Sequence, residues 1–410
     1  TSFFGVPMLR SRLPRLAPLA RRFAAAADAP LRRTPLYESH LALGGKMVPF
    51  GGWEMPVQYD KTAKGGILKS HLHTREAVGI FDVSHMLGVV IRGADRVEFM
   101  EKLCTADLQN LPAGMGSLSV ITNDDGGIID DCIVTNAGDH LYMVINAGHE
   151  DKDLPHMASH LDAFVRSGKD ASMETLAKNG LVAVQGPKAA EVLQRLTPTP
   201  LDQCKFMSAA TMTVNGIECF VTRSGYTGED GFEIGVPPGA GEQHAVVGLW
   251  ETLLAQPEVE AVGLGARDSL RLEAGLCLYG NDLDDSTSPA EATLLWVVAK
   301  SRRTPGGFVG SERILSEITN KSASRKRAGF VIPKGAPARE GSAVFDGEEQ
   351  VGVVTSGGFS PVLKQGIGMC YVKPGLNKAG TELSVEVRGK KQPMVITKMP
   401  FVASNYYRGP

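Results

Sequence analysis

The sequence predicts an α+β fold that ends in a small all-β unit. Through about residue 303, strand-like and helical stretches alternate, and turn residues join several strands as hairpins. That combination predicts antiparallel or mixed sheets with helices packed on them. After about residue 303 the texture changes to short β-rich runs parted by Gly, Pro and Asn. Their spacing of roughly ten residues is what a small all-β barrel or sandwich produces. With 410 residues, 43% of them hydrophobic, the chain can bury a substantial core, and its length predicts two or three domains.

The elements follow in order. Residues 1–28 carry five arginines (Arg10, Arg12, Arg15, Arg21 and Arg22) and no acid before Asp28. An Arg-rich, acid-free, Ala- and Ser-containing start reads as an organelle transit peptide; the alternative is a basic arm that stays attached. The stretch Thr74 to Ile80 predicts a helix ending near Gly79, followed by a strand at Gly88 to Ile91. Val97, Met100 and Leu103 give 95–104 a helical period. Leu118 to Thr122 and Ile128 to Thr135 flank Asn123-Asp124-Asp125-Gly126-Gly127, which predicts a hairpin. A strand at 140–146 and a helix at 150–168 come next, then a strand at 181–184 handing over to a helix. Strands at 211–222 and 232–236 surround a glycine-rich stretch, and helices fill 241–255 and 266–275. Residues 304–325 form a connection with one helix. Beyond it, runs at 327–332, 342–345, 350–355, 367–373 and 381–388 make the terminal β unit, 326–410.

Charge narrows the function classes. The whole chain has a formal charge of −2, and without its first 27 residues 38 basic side chains face 45 acids, or −7. An acidic protein lacks the electrostatic footprint of a general nucleic-acid binder, so no nucleic-acid partner is expected. No apolar run approaches the ~18–20 residues of a membrane span, so no membrane partner is expected either. The six cysteines are scattered without a C-x-x-C pair, which predicts buried free thiols and no zinc or iron–sulfur site. His71 with His73, and His156 with His160, lack a third ligand at suitable spacing, so no metal is expected.

Three motifs carry candidate chemistry. Asp130 and Asp131 are adjacent in a strand, so they point to opposite faces. Regular alternation puts one with Ile128, Cys132 and Val134, and the other with Ile129, Ile133 and Thr135. If both faces are covered, at least one carboxylate sits in apolar surroundings and must find a partner, shift its pKa or serve a ligand. Periodicity leaves open which one. The stretch Ser224 to Glu233 has glycine at every third position from Gly225, permitting close backbone approach, and matches neither G-x-G-x-x-G nor a Walker A loop. Glu233, between Phe232 and Ile234, would be costly to bury unpaired. The helical stretch Ala266 to Gly275 aligns Arg267, Arg271 and Ala274 on one face, as a ligand-facing row or an ion-pair array.

Several segments together resemble the glycine cleavage T-protein family. They are Arg33 to Tyr37, Phe81 to Met86, Gly126 to Asp131, Gly225 to Glu233, Ala266 to Asp282, and the ending Lys398 to Val402 through Asn405-Tyr406-Tyr407, all in the family's order. The resemblance implies a three-domain, cloverleaf-like α+β arrangement around a channel for tetrahydrofolate, the co-substrate, with two interleaved lobes in 29–303. It implies an aminomethyltransferase that takes the aminomethyl group from the lipoyl arm of H-protein, with P- and L-proteins in the wider system. It implies a mitochondrial matrix location, making 1–28 a mitochondrial transit peptide. On the family's motifs, Asp130 is the functional acid, Glu233, Arg267 and Tyr406 bind folate, and Tyr226, Trp296, Arg327 and Met86 line the site.

These residue types suit such chemistry. A carboxylate such as Glu233 can accept two adjacent pterin N–H groups, and aromatics such as Tyr226 and Trp296 can stack on flat rings. An arginine matches the carboxylates of folate. A fixed carboxylate can orient the reactive nitrogens, stabilise cationic character and take a proton. Two rival families share parts of the pattern. Dimethylglycine or sarcosine oxidising enzymes carry a flavin domain upstream, where about thirty residues precede the matching region here. Folate-binding iron–sulfur assembly factors carry a cysteine-containing signature where this chain reads Ser288-Pro289-Ala290-Glu291.

Overall fold

A computed structural model of the chain describes residues 30–60, 66–239 and 244–409. The expected transit peptide, and the start of the helix expected from 241, lie outside the described residues. In chain order the elements are α1 (Tyr37–Ala42), β1 (Gly45–Phe50), β2 (Trp53–Tyr59), α2 (Gly66–Glu76), β3 (Val78–Asp82), β4 (Leu87–Arg92), α3 (Arg96–Leu103), β5 (Met115–Thr122), β6 (Ile128–Asn136) and β7 (Leu141–Ile145). Then come α4 (Glu150–Arg166), β8 (Ser172–Thr175), β9 (Gly180–Gln185), α5 (Ala189–Gln194), β10 (Ala209–Val214), β11 (Ile217–Thr222), β12 (Gly231–Val236), α6 (Ala245–Leu254), β13 (Val259–Ala261) and α7 (Leu264–Glu273). The last are α8 (Ser311–Asn320), β14 (Lys326–Ile332), β15 (Ala343–Asp346), β16 (Glu349–Ser360), β17 (Gln365–Val372), β18 (Glu382–Val387) and β19 (Lys390–Thr397).

Three bodies result, and the α+β expectation with a terminal barrel holds. A six-stranded sheet in the order β10-β11-β12-β9-β3-β13 is mixed, its β3–β13 pair being parallel. One face packs Ile80, Val184 and Phe232 against Leu249, Trp250 and Leu253 of α6. The other places Phe81, Leu181 and Ala183 against Ala266 and Leu270 of α7. A five-stranded antiparallel sheet, β5-β6-β7-β4-β8, buries Val89, Cys132 and Val134 against Phe99 of α3 and Met157 of α4. The third body is a closed barrel, β14-β17-β16-β15-β18-β19, filled by Phe330, Val344, Cys370 and Val385.

The structure departs from the sequence reading at instructive places. The helix expected to reach Gly79 stops at Glu76, and Val78–Asp82 is a strand buried at every residue. A strand covered on both faces reads as an unbroken apolar run, which periodicity cannot tell from a helix. The stretch read as one strand at 211–222 is the β10–β11 hairpin, turning at Asn215-Gly216, where both residues have positive φ (49° and 77°). That is the two-residue turn whose twist matches paired strands. Hairpin β1–β2, strands β8 and β13, and β19, which closes the barrel through pairs with β14 and β18, were not expected. β19 opens Lys390-Lys391-Gln392-Pro393, a polar start that masks its buried Met394 and Ile396. All six cysteines are free, four of them buried. Among the described residues no helix is long and apolar enough to cross a membrane.

Candidate active site

The β5–β6 hairpin positions the two carboxylates. Gly126 turns with φ 72°, and Gly127 lies so close to the 283–287 loop that a Cβ there would sit 1.7 Å from the carbonyl oxygen of Asp285. The register slips between Ile121 and Thr122, so that Thr122 faces Ile128 and Ile121 faces Asp130. Ile129 is thus an extra residue, a β-bulge, and it breaks the simple alternation. Ile129 joins Cys132 and Val134 in the core under α3 and α4, while Ile128 joins Val120 in the opposite core. This corrects the expected partition of the strand: Asp130 shares its face with Ile129, not Ile128.

Asp130 has 0% of its surface exposed. Its Oδ2 accepts the backbone N–H of Asn146 (3.0 Å) and its Oδ1 accepts the Asn146 side-chain amide (2.8 Å). The same amide nitrogen lies 3.4 Å from Oδ1 of Asp131, so one asparagine bridges both acids. Asp131 is half-buried, on the other face of β6. Burial, and then the neighbouring negative charge of Asp130, raise its carboxyl well above the ordinary range.

Across from Asp131, the glycine-rich loop supplies a second group. A Cβ on Gly225 would stand 1.8 Å from Oε1 of Gln185, so only glycine permits this approach. Arg75 anchors the loop, donating to the carbonyl of Thr227 (2.6 Å) and to Glu229 (2.8 Å). Tyr226 donates its hydroxyl to the carbonyl of Cys277, and the Arg267 guanidinium lies 4.9 Å from its ring centre. Glu233 accepts a hydrogen bond from Ser224 (3.3 Å). Burial raises the Glu233 carboxyl, while Arg267 and Ser224 pull against it. Nη1 of Arg267 is buried and, among the described residues, without a hydrogen-bond partner. A buried donor left open beside a carboxylate and an aromatic face fits a ligand offering both acceptors and donors.

Other expected site residues fall in different places. Met86 packs on the core that holds Ala266 and Leu270, one residue from Arg267. Arg327 is buried in β14, donating to the carbonyl of Ala292 (2.8 Å) and lying 3.0 Å from the Met369 sulfur. Tyr406 stacks on Phe206 (4.1 Å between centres), and Asn405 ties this tail to the loop through Gly228 (2.7 Å) and Glu229 (2.9 Å). Trp296 is 64% exposed in the 3-10 turn Leu295–Val297, and no ring contact or hydrogen bond among the described residues ties it to Tyr226 or Arg267. The row on α7 divides: Arg267 is open, while Arg271 is consumed by Asp268 (2.8 Å) and Asp282 (2.9 Å).

The sequence reading did not name Asn146, His149 or Asp153. Asn146 is 16 residues from Asp130 and ends the neighbouring strand, a placement no local spacing reveals. Asp153 did leave a trace, because the apolar row of α4 through Phe164 and Met157 runs back onto it.

Comparisons with known proteins bear on this arrangement. A family model described as the GCVT N-terminal domain matches residues 36–302, and one described as the glycine cleavage T-protein C-terminal barrel domain matches residues 325–403. The chain is 49% identical over 387 residues to mitochondrial aminomethyltransferase from Pisum sativum, covering 93% of this chain and 92% of that protein. It is 47% identical over 405 residues to mitochondrial aminomethyltransferase from Homo sapiens, covering 98% of each. The crystal structure of glycine cleavage system aminomethyltransferase T from Bartonella henselae superposes with a TM-score of 0.84 at 40% identity, covering 92% of this chain and 99% of that one. The chain belongs to the glycine cleavage T-protein family of aminomethyltransferases.

Proposed function

We propose that this enzyme moves the methylene carbon of an aminomethyl-lipoyl arm, presented by H-protein, onto tetrahydrofolate. The products are ammonia, the dihydrolipoyl arm and 5,10-methylenetetrahydrofolate. The two folate N–H protons are accounted for, one ending on sulfur and one on the departing nitrogen. Neither rival, an iron–sulfur assembly factor or the folate part of a dimethylglycine or sarcosine oxidising enzyme, is favoured by the relatives found.

The observation that carries this reading is the Asn146-bridged pair Asp130 and Asp131 together with the open Arg267, Tyr226 and Glu233 group. Arg267 and Glu233 would hold the folate, the first supplying an unused donor and the second a carboxylate for pterin N–H groups. Tyr226 would pack on its rings, with Met86 completing the apolar wall. Asp130, held by two N–H donors, would orient the folate nitrogens, stabilise developing positive charge and take a proton. Tyr406, Arg327 and Trp296 stand as outlying candidates, Trp296 the most distant from this reading because of its exposure. We further assign 29–303 to the transfer region, 304–325 to the connection and 326–410 to the barrel. The relatives named mitochondrial support a mitochondrial location and residues 1–28 as a transit peptide; we also assign the enzyme to the matrix, with P- and L-proteins as indirect partners.

The test is ammonia release from aminomethyl-loaded H-protein, with and without tetrahydrofolate. Asp130→Asn keeps the shape and removes the charge, and is expected to lower turnover by ~10²–10⁴-fold with folate still bound. Turnover like that of the unaltered enzyme, with normal folate binding, rules out the role of Asp130.

A further inference from the structure

On the side of Asp130 that faces helix α4 lies a third acid. Asp153 has 0% of its surface exposed, and neither of its oxygens meets a hydrogen-bond donor among the described residues. Helix α4 packs on β6, with Met157 in one core with Ile129 and Cys132, and this sets Asp153 beside Asp130, its nearest charged and hydrogen-bonding neighbour. Two neighbouring carboxylates, both out of water, cannot both carry charge, and they can bond to each other only through a proton.

The groups around Asp153 offer no other solution. Lys152, the neighbouring cation, is engaged by the Tyr279 hydroxyl (2.6 Å) and by Asp285 (2.8 Å). His149, at the start of α4, lies edge-on to Tyr279 at 4.6 Å, and burial lowers its pKa toward the neutral form. Its Nδ1 has no partner among the described residues. Cys132 on β6, Tyr279 and Asp285 are the other titratable groups facing this spot, and none of them is a cation. Asp130, by contrast, already accepts two N–H bonds from Asn146, so the charge belongs on Asp130 and the proton on its partner.

We propose that Asp153 is a neutral carboxylic acid whose O–H donates to Asp130, a positioning residue that holds the functional acid ionised and correctly turned. Burial, with the charge of Asp130 next to it, pushes the Asp153 carboxyl far above its ordinary range, in agreement with the geometry. The arrangement gives Asp130 three donors, two from Asn146 and one from Asp153. Its consequence for transfer rests on the function proposed above; its protonation does not.

Two readouts separate these parts. Infrared spectra of the full chain at neutral pH are expected to show the carbonyl stretch of a protonated carboxyl above the amide I band. That band should shift down in D2O and lose one component in Asp153→Asn, whose amide keeps the shape and can donate to Asp130. Spectra of Asp153→Asn that retain every protonated-carboxyl component overturn the proposal whatever the enzyme's substrate. In the transfer assay, Asp153→Ala is expected to lower kcat by about 10- to 100-fold, the loss of one hydrogen bond to a charged group, with tetrahydrofolate affinity within about twofold. Asp153→Asn should restore most of that rate while flattening its pH profile. An unchanged kcat in Asp153→Ala, or an Asp153→Asn variant no better than it, overturns the positioning role. Should Asp153→Ala fail to fold, Asp153→Asn carries both readouts.

Discussion

The substitution Asp282→Asn tests how the barrel is held in register against α7, the helix that carries Arg267. Asp282 is fully buried, and its Oδ2 accepts from Arg271 (2.9 Å), the backbone N–H of Leu278 (2.9 Å) and the hydroxyl of Ser356 (2.8 Å). Its Oδ1 accepts from Thr355 (2.5 Å). One carboxylate therefore joins α7, through Arg271, to barrel strand β16, through Thr355 and Ser356. An asparagine in its place would keep the volume but turn one of the two acceptor oxygens into an N–H2 donor, and leave Arg271 without its buried counter-ion. Breaking a buried pair by removing one partner costs about 3–5 kcal/mol. Arg271 retains Asp268, though that acid is 55% exposed and screened by water, so we expect the lower end, about 3 kcal/mol. For a chain this size each kcal/mol moves Tm by roughly 1–2 °C. Thermal unfolding should thus fall by roughly 3–6 °C, and amide exchange should rise first in β16 and the last turn of α7. Because α7 also carries Arg267, folate affinity should weaken. A variant with an unchanged Tm and unchanged exchange in β16 would show that the barrel is held by its apolar contact with α7, at Leu272, Ile367 and Met369, and not by this clip.

Three further outcomes follow from the same structure. Glu233→Ala should weaken tetrahydrofolate binding more than it slows turnover at saturation, measured by equilibrium titration against kcat; unchanged affinity counts against the assignment. Gly127→Ala places a Cβ 1.7 Å from a backbone oxygen, an overpacking that should cost at least about 1–3 kcal/mol and displace Asp130 and Asp131, so transfer activity should fall even where the protein still folds; wild-type activity and Tm refute the constraint. His85 is buried with its pKa lowered from 6.5 to about 4, chiefly by burial, so the folded protein resists protonation that the unfolded chain accepts. Its stabilising contribution is full above pH 6.5 and is lost as pH falls toward 4, by about 3 kcal/mol in all, and the part of that loss belonging to His85 should vanish in His85→Gln denaturation curves at pH 5 and 7.

Much of this protein is legible in its sequence. The β5–β6 hairpin, the amphipathic α4, the glycine-rich loop and most of the barrel strands follow from side-chain period and turn chemistry, which act over a few residues. The adjacent acids and the Gly225 to Glu233 loop mark the candidate site for the same reason. Tertiary structure alone decided which way each acid points, because the bulge at Ile129 depends on how β6 registers against β5 and against the 283–287 loop. It also decided that Arg267 stays open while Arg271 is consumed, since Asp282 folds back onto α7 and Ser356 arrives with the docked barrel. The strand Val78–Asp82 was unreadable because both its faces are covered, and Asn146 and Asp153 became partners of Asp130 only through packing between elements distant in the chain. Local pattern sets which elements form; the long-range contacts that bury them determine which charges lose water, and so which side chains can do chemistry.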